Sequence, residues 1–331
     1  MRFSNKPLWL VTACALVLGG CAGQHSPDEK YYLVSVNIKV PYWQAAAAGM
    51  ARAAAEMHVQ AELVGPDGYD PKAEQDEFRR VAKLKPSGIL VSAADANLLA
   101  PDIDAAVNAG IPVITMDSDS PLSKRLTFIG TNNYEAGLMG GRLVAKLLDG
   151  KGGVVVLTMP GQANLDERLH GYEAAFDAHP GIKIVQVVDI QGKPQVAFDT
   201  AASLLDKEPK KVDAFVCLEA IAGKEVAEVV DRAKMHDKII VAMDADQGTL
   251  EWIQKGVIAA TVAQKPYTMA FTGIRMLDDL HHHPLSKLGA NWAEDPFARI
   301  PRSLDTGVTI VDKNSVDLFM KARDTATSGK T

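Results

Sequence analysis

Short apolar runs alternate along the chain with longer segments in which apolar residues recur every three to four positions. Ten runs between residues 32 and 264 have the character of strands: YLVSVNI, VQAELVG, SGILVSA, IPVITMD, LTFIG, GVVVLTM, IKIVQVVDI, VDAFVCLE, KIIVAMD and AATVAQ. Segments with helical spacing, such as AFDTAASLLDK, separate most of them. This alternation predicts βαβ units and parallel sheets. Runs that are apolar at consecutive positions are typical of strands covered on both faces.

Ten strands are many for one open sheet, and 331 residues are more than one hydrophobic core normally serves. We therefore predict an α/β protein with two Rossmann-like lobes, each a parallel sheet flanked by helices. We place the boundary between the lobes at residues 128–137, where a strand ends at Gly130 and Asn132 or Asn133 can cap the next helix. The tail is predicted to add closing strands and a terminal helix. The predicted boundaries are 31–131 plus 265–297 for the first lobe, and 132–264 plus 298–323 for the second.

The first twenty residues have the character of an export signal. Arg2 and Lys6 precede a short apolar run, which ends in Gly19 and Gly20 before Cys21. The ending LGGC resembles a bacterial lipobox, and the alternative is an ordinary signal that happens to precede a cysteine. We predict a lipoprotein signal over residues 1–20, lipidation of Cys21, and a polar tether over residues 21–30. Two or more acyl chains suffice for stable membrane anchoring. We therefore predict that the mature protein starts at Cys21 and lies outside the inner membrane.

Charge and cysteine content narrow the possible functions. The net charge of −6 disfavours a nucleic-acid-binding protein, which would need a basic face. Of the three cysteines, Cys14 would leave with the signal and Cys21 would be lipidated, so no disulfide can form within the mature chain. Cys217 lies in an apolar strand and is interpreted as a small buried hydrophobic residue.

The ends of the predicted strands carry most of the candidate chemistry, because ligands of open parallel sheets bind beyond the carboxyl ends of the strands. These ends offer carboxylates, amides, one arginine and two aromatic rings: Asn37, Tyr42, Trp43, Ser92, Asp95, Asp117, Ser118, Gln162, Asn164, Arg168, Gln191, Glu219, Asp244, Asp246 and Gln264. Carboxylates and amides form hydrogen bonds with neighbouring hydroxyl groups, and an arginine donates to them. An aromatic face can cover the C–H side of a sugar ring.

Each of these residues also has a purely structural alternative. Tyr42 and Trp43 could belong to a lobe core or to a contact between lobes. Asp95 and Asp246 could cap the helices that follow them. Arg168 could pair with a neighbour on the surface of its own helix.

Several motifs in order resemble the ribose-binding-protein-like group of type I periplasmic binding proteins, which serve ABC importers. The resemblance runs from about Tyr32 to Phe319 and is strongest in GIPVITMDSDSP, FIGTNNYEAG, DERLHGYEAAF and VAMDADQGTLEWIQKGVIAATVAQKPY. It implies two lobes joined by a multi-strand hinge. The positions that match the family's sugar-binding residues are Tyr42, Trp43, Asp117, Arg168, Asp244 and Gln264.

Three positions depart from the family's pattern. Ser118 stands where an arginine is frequent, and Glu219 stands where an asparagine is frequent. Val40 replaces an asparagine, for which the nearby Asn37 can compensate. These changes make the predicted site more acidic than a ribose site. Asp95 and Gln191 complete the predicted ligand-binding set, on the strand-end argument alone.

The resemblance implies an exported, monomeric protein that closes on a monosaccharide or polyol and delivers it to an ABC permease, without a cofactor. One alternative is a sensor that presents its ligand to a receptor, and another is a carbohydrate-acting enzyme that uses paired carboxylates. Neither a dinucleotide fingerprint nor a phosphate-binding loop is present in the sequence. Adjacent histidines at 281, 282 and 283 point in different directions on a helix, so we predict a solvated helix end and no metal site.

Overall fold

Two six-stranded sheets form the framework of the computed structural model, which describes residues 25–285 and 296–327. The first sheet contains β1 (Lys30–Val34), β2 (Gln60–Val64), β3 (Gly88–Val91), β4 (Val113–Met116), β5 (Phe128–Gly130) and β11 (Ser303–Asp305), in the spatial order β11-β5-β4-β3-β1-β2. The second contains β6 (Lys151–Thr158), β7 (Gly181–Asp189), β8 (Ala214–Cys217), β9 (Ile239–Met243), β10 (Ala260–Ala263) and β12 (Thr309–Asp312), in the order β12-β10-β9-β8-β6-β7. Pairing is parallel except between β10 and β12. The predicted two-sheet α/β fold is confirmed.

Helices cover both faces of each sheet. The first lobe has α1 (Pro41–Met57), α2 (Pro71–Lys83), α3 (Ala96–Asn108) and α9 (Pro266–His282). The second has α4 (Asn133–Leu147), α5 (Ala163–Asp177), α6 (Pro194–Lys207), α7 (Ala222–Ala233), α8 (Gln247–Lys255) and α10 (Val316–Thr327). Among the helices within the described ranges, none is both long and apolar enough to span a bilayer.

Burial on both faces explains why the strands are apolar at consecutive positions. In β1, Tyr31 and Leu33 belong to the core shared with α1 and α9. The alternate residues Tyr32 and Val34 belong to the core shared with α2 and α3. Because side chains alternate across a strand, both parities of β1 must be apolar.

Close helix packing fixes part of the second lobe. A Cβ added to Gly137 of α4 would lie 2.1 Å from the carbonyl oxygen of Arg168 on α5, and one added to Gly171 would lie 2.2 Å from that of Tyr134. Such contacts are possible only without side chains at these two positions. The two glycines therefore bring α4 and α5 together beside Arg168.

The chain passes between the lobes three times within the described residues: after β5, after β10 and between β11 and β12. Asn132 caps α4 at the first crossing, where its side chain accepts a hydrogen bond from the backbone N–H of Glu135. The predicted lobe boundary at residues 297/298 was wrong for β11, which pairs with β5 in the first sheet. This strand has only three residues and one apolar side chain, Leu304, so its pattern carries no information about its partner.

The N-terminal predictions lie mostly outside the described residues. The export signal over residues 1–20, the lipidation site Cys21 and the tether up to residue 24 belong to that part. From His25 onward the chain makes a turn, in which the backbone N–H of Glu29 donates to the carbonyl oxygen of Ser26, and then enters β1.

Candidate functional site

A cleft lies between the two lobes, and residues at the carboxyl ends of the strands of both sheets line it. Nine of the eleven residues in the predicted ligand-binding set are among them: Asn37, Tyr42, Trp43, Asp117, Ser118, Arg168, Glu219, Asp244 and Gln264. The strand-end residues Ser92, Gln162 and Asn164 line the cavity as well. They come from both lobes and from the crossing between β10 and α9. The two sheets therefore direct their strand ends into one shared cavity.

Asp117 is the acidic centre of the first lobe's wall. It follows β4 directly and has a positive φ of 67°, which ends the strand and turns the chain. The hydroxyl of Tyr42 donates a hydrogen bond to Asp117 Oδ1 over 2.6 Å. Burial raises the pKa of the Asp117 carboxyl, while the charge of Arg168 and the bonds from Tyr42 and Ser92 counteract this shift.

Two aromatic rings stand beside this carboxylate in the first turn of α1. The rings of Tyr42 and Trp43 meet edge to face, with centroids 5.0 Å apart and an interplanar angle of 83°. Trp43 is buried in the core of the first lobe and also lines the cavity. The core interpretation of this residue therefore holds, and its indole also presents surface to the cleft, where the binding interpretation places it. Such an arrangement offers a rigid apolar surface.

Arg168 is the cationic centre of the second lobe's wall, and it is only 2% exposed. Its Nε donates to Asn133 Oδ1 over 2.8 Å, and its Nη1 donates to the carbonyl oxygen of Leu218 over 2.7 Å. Its Nη2 is buried and has no hydrogen-bond partner among the described residues, and the same is true of Asn164 Oδ1. Leaving a buried charged donor unpaired is costly. These atoms are therefore available to a ligand.

A chain of hydrogen bonds links two of the lobe crossings to Asp244. The hydroxyl of Thr131, after β5, donates to Gln264 Oε1 over 2.8 Å, and Gln264 Nε2 donates to Asp244 Oδ1 over 3.0 Å. Asp244 follows β9 with a φ of 66°, so it matches Asp117 in the other lobe. Burial raises the pKa of Asp244 to about 7, against the opposing effects of Arg168 and Gln264.

Glu219 combines a local structural role with a place in the cleft. Its two carboxylate oxygens accept hydrogen bonds from the backbone N–H groups of Ile221 and Ala222 at the start of α7, over 2.7 and 3.0 Å. Burial raises the pKa of Glu219 to about 7, although these two bonds oppose the shift. Each oxygen retains a further lone pair for a ligand.

The lobes touch at the rim opposite the crossings. Tyr69 follows β2 and Gly192 follows β7, and these strands are the outer edges of their sheets. A Cβ added to Gly192, whose φ is +65°, would lie 2.9 Å from Tyr69 Cβ. This contact closes the cleft on the side away from the crossings.

A family model described as a periplasmic binding protein domain matches residues 31–282, which is most of the chain. The chain belongs to the periplasmic binding protein family. The resemblance inferred from the sequence is confirmed, and so is the fold that it implied.

Solved structures and curated relatives of this binding protein are sugar-binding proteins. It is 33% identical to a sugar-binding protein of a sugar ABC transporter from Bacillus halodurans, covering 88% of this chain and 100% of that one with a TM-score of 0.77. It is also 33% identical to AraP, an arabinose binding protein from Geobacillus stearothermophilus, over 88% and 99% of the two chains with a TM-score of 0.75. The D-allose-binding periplasmic protein of Escherichia coli is 23% identical over 261 residues, 76% of this chain and 84% of that protein.

Two residues of the predicted set do not line the cavity of this binding protein. Asp95 is exposed and caps α3, accepting hydrogen bonds from the backbone N–H groups of Asn97 and Leu98. Gln191 is exposed after the edge strand β7, and its Oε1 accepts a hydrogen bond from Lys193 Nζ over 3.3 Å. The structure does not bring these two residues to the cavity, because the strand-end argument does not say which way a loop turns. Asp246, interpreted as a possible cap, does cap α8.

Sequence reasoning missed Tyr69 and Met159, which also line the cavity. Tyr69 lies five residues beyond the end of β2, so an argument limited to the residues directly after a strand does not reach it. Met159 directly follows β6 and carries no polar signal. Ser118 lies in the wall, but its hydroxyl donates to the carbonyl oxygen of Ala93 over 2.8 Å and joins two loops of the first lobe.

Proposed function

We propose that this binding protein captures a neutral monosaccharide or polyol in the cleft by hinge closure and delivers it to an ABC permease. The observation that carries the proposal is the pairing of the unpartnered Arg168 Nη2 with buried carboxylates from both lobes in one cavity. A hydroxylated ring can accept from the guanidinium and donate to Asp117, Glu219 and Asp244. The sugar ligands of the relatives support the same class of ligand.

The charges of the site favour a neutral ligand. Three carboxyl groups, on Asp117, Glu219 and Asp244, line the cavity together with a single arginine. A ligand carboxylate or phosphate would enter beside three acidic groups in a poorly solvated space, where like charges repel strongly. Sugars without an acidic group meet no such repulsion.

Closure follows from the way the two walls share the ligand. A sugar that bonds Asp117 in the first lobe and Arg168 in the second makes both sets of bonds only when the lobes are together. The sugar therefore binds the closed state more tightly than the open state, and this difference in affinity stabilises the closed state. The contact between Tyr69 and Gly192 at the rim would then form with each capture.

A thermal-shift screen tests the ligand class. The panel contains arabinose, ribose, allose, glucose, galactose, tagatose and myo-inositol, with gluconate and ribose 5-phosphate as acidic controls. We expect at least one neutral sugar to raise the melting temperature, because a ligand at 100 times its Kd stabilises the folded state by about 2.7 kcal/mol. Stabilisation by the acidic controls alone, or by none of the compounds, would contradict the proposal.

We further propose that the protein is exported and anchored to the cell envelope through lipidated Cys21, and that it acts as a monomer that performs no chemistry on its ligand. Membership of the family supports export. Replacing Cys21 with serine should move the protein from the membrane fraction to the soluble fraction without changing its affinity for sugar. Membrane association that persists in this variant would contradict the anchor.

A further inference from the structure

A second cluster of polar side chains lies at the amino end of β1, away from the cleft. His25 Nε2 is 2.8 Å from Asp278 Oδ2, and His282 Nδ1 is 3.6 Å from Asp278 Oδ1. One potential ligand atom from each of these three residues lies within 4.8 Å of the others. Glu29 adjoins them, with its Oε1 3.3 Å from His282 Nε2. The cluster joins the predicted tether, which contains His25 and Glu29, to the last turn of α9.

The expectation of a solvated histidine run at this helix end was wrong for His282. Its side chain is only 16% exposed, that of Asp278 is 11% exposed and that of Glu29 is 11% exposed. By contrast, the side chain of His283 is 49% exposed. Asp278 lies one helical turn before His282, so both side chains share one face of α9. His25 comes from a segment more than 250 residues away in sequence.

The hydrogen bonds of His282 indicate which of its nitrogens faces the cluster as an acceptor. Its Nδ1 lies 2.9 Å from the carbonyl oxygen of Asp278, which can only accept, so Nδ1 carries a hydrogen. In the neutral ring, Nε2 then directs a lone pair toward the carboxylate of Glu29. A cation must lie between these two acceptors, either a proton on Nε2 or a metal ion. In addition, Glu29 Oε2 is buried without a hydrogen-bond partner among the described residues.

We propose that His25, Asp278 and His282 bind a divalent transition metal ion, with Glu29 as a fourth ligand and Zn²⁺ as the ion that fits best. Imidazole nitrogens combined with carboxylate oxygens suit Zn²⁺, whereas Ca²⁺ and Mg²⁺ prefer sites made of oxygen alone. Bonds of about 2.0–2.2 Å in a tetrahedron place ligand atoms about 3.3–3.6 Å apart. The 3.3 Å between His282 Nε2 and Glu29 Oε1 matches this spacing, and the 2.8 Å between His25 Nε2 and Asp278 Oδ2 would have to lengthen when the ion binds.

A hydrogen bond from outside the cluster orients the carboxylate of Asp278. The hydroxyl of Tyr31, in β1, donates to Asp278 Oδ1 over 2.9 Å, and Tyr31 is fully buried. Such outer contacts orient metal ligands and leave the second carboxylate oxygen, Oδ2, for the ion. The bound metal would fasten the predicted tether to α9. If Cys21 is the anchor, His25 lies only four residues from the membrane, so the metal would hold the first lobe near it. The site itself does not depend on the proposed sugar.

Isothermal titration of the mature protein with ZnCl₂ tests the site. The protein is purified without a histidine tag and freed of metal with a chelator. We expect one Zn²⁺ per chain, and we expect His25→Ala and His282→Ala to weaken binding at least tenfold. The matched control His283→Ala, which removes an exposed histidine from the same helix end, should bind within twofold of the wild type.

Substitution of Co²⁺ for Zn²⁺ adds a spectroscopic test, since a four-coordinate Co²⁺ site absorbs strongly in the visible range. His25→Ala is the decisive variant, because His25 lies in a surface segment outside both sheets and its loss leaves the lobe intact. Absence of saturable Zn²⁺ binding in the wild type would overturn the proposal, and so would wild-type affinity in His25→Ala. Sugar affinity should be the same in all three histidine variants, which separates failure of this site from failure of the cleft.

Discussion

Replacing Arg168 with methionine tests the chemistry of the cleft most directly. The variant keeps an unbranched side chain of similar length and removes the only guanidinium in the cavity wall formed by the described residues. The ligand loses the unpartnered donor Nη2. The protein loses the hydrogen bonds from Arg168 to Asn133 and to the carbonyl oxygen of Leu218. The change therefore has one effect on affinity and another on stability, and the two are measured separately.

The size of the affinity effect follows from the number of ligand bonds removed. One hydrogen bond to a charged group contributes roughly 1.5–3 kcal/mol, and each 1.4 kcal/mol is a factor of ten, so the Kd should rise about 10- to 150-fold. The charge of Arg168 also lowers the pKa values of Asp117, Glu219 and Asp244, and without it all three rise further. More of these groups would then be protonated at neutral pH and would accept sugar hydroxyls less well.

Isothermal titration with the tightest sugar from the screen measures the affinity, and thermal unfolding without ligand measures the stability. The control Asn133→Ala keeps the guanidinium and removes one of its supports, so we expect a smaller loss of affinity than in Arg168→Met. A folded Arg168→Met protein that binds the sugar within twofold of the wild type would refute the reasoning. Arg168 would then be a structural residue that only joins α4, α5 and the loop after β8.

Three further predictions concern closure, charge and stability. In Gly192→Asn, the asparagine tolerates the positive φ but its side chain should clash with Tyr69 at the rim. We expect sugar binding to weaken about tenfold, since overpacking costs about 1–3 kcal/mol. Isothermal titration measures this change, and unchanged affinity would show that the rim does not close. Gluconate should bind at least about 100-fold more weakly than the best neutral sugar, a difference that titration would also detect, and comparable affinity would contradict the charge argument. Glu74 is fully buried beneath the cleft wall, and burial raises its pKa from 4.5 to about 8. Between these values the folded state holds a proton that the unfolded state has lost, so its contribution makes stability fall as pH rises through this window. Urea unfolding at pH 5, 7 and 9 should therefore show a smaller fall for Glu74→Gln than for the wild type, by roughly 2–4 kcal/mol; an identical pH dependence would contradict the assignment.

Most of the cleft could be predicted because parallel sheets gather their functional side chains by a simple rule. A residue directly after a buried parallel strand lies at the sheet edge where ligands bind. Asp117, Glu219 and Asp244 each follow a buried strand within two residues, and all three line the cavity. Asp95 lies four residues beyond the end of β3, where the chain already starts a helix, and Gln191 follows an outer strand whose loop turns to solvent.

The sequence by itself determined the alternation of strands and helices, the separation into two lobes and the chemical character of the strand ends. These properties are local, because they depend on the spacing of apolar residues and on the residues next to each strand. Only the tertiary structure decided that β11 pairs with β5, that Tyr69 meets Gly192, and that His25 reaches Asp278. Such contacts join segments far apart in the chain, and their geometry results from the packing of the whole fold. The burial that shifts the pKa values of Glu74 and Asp244 arises in the same way, since it depends on every element that covers them.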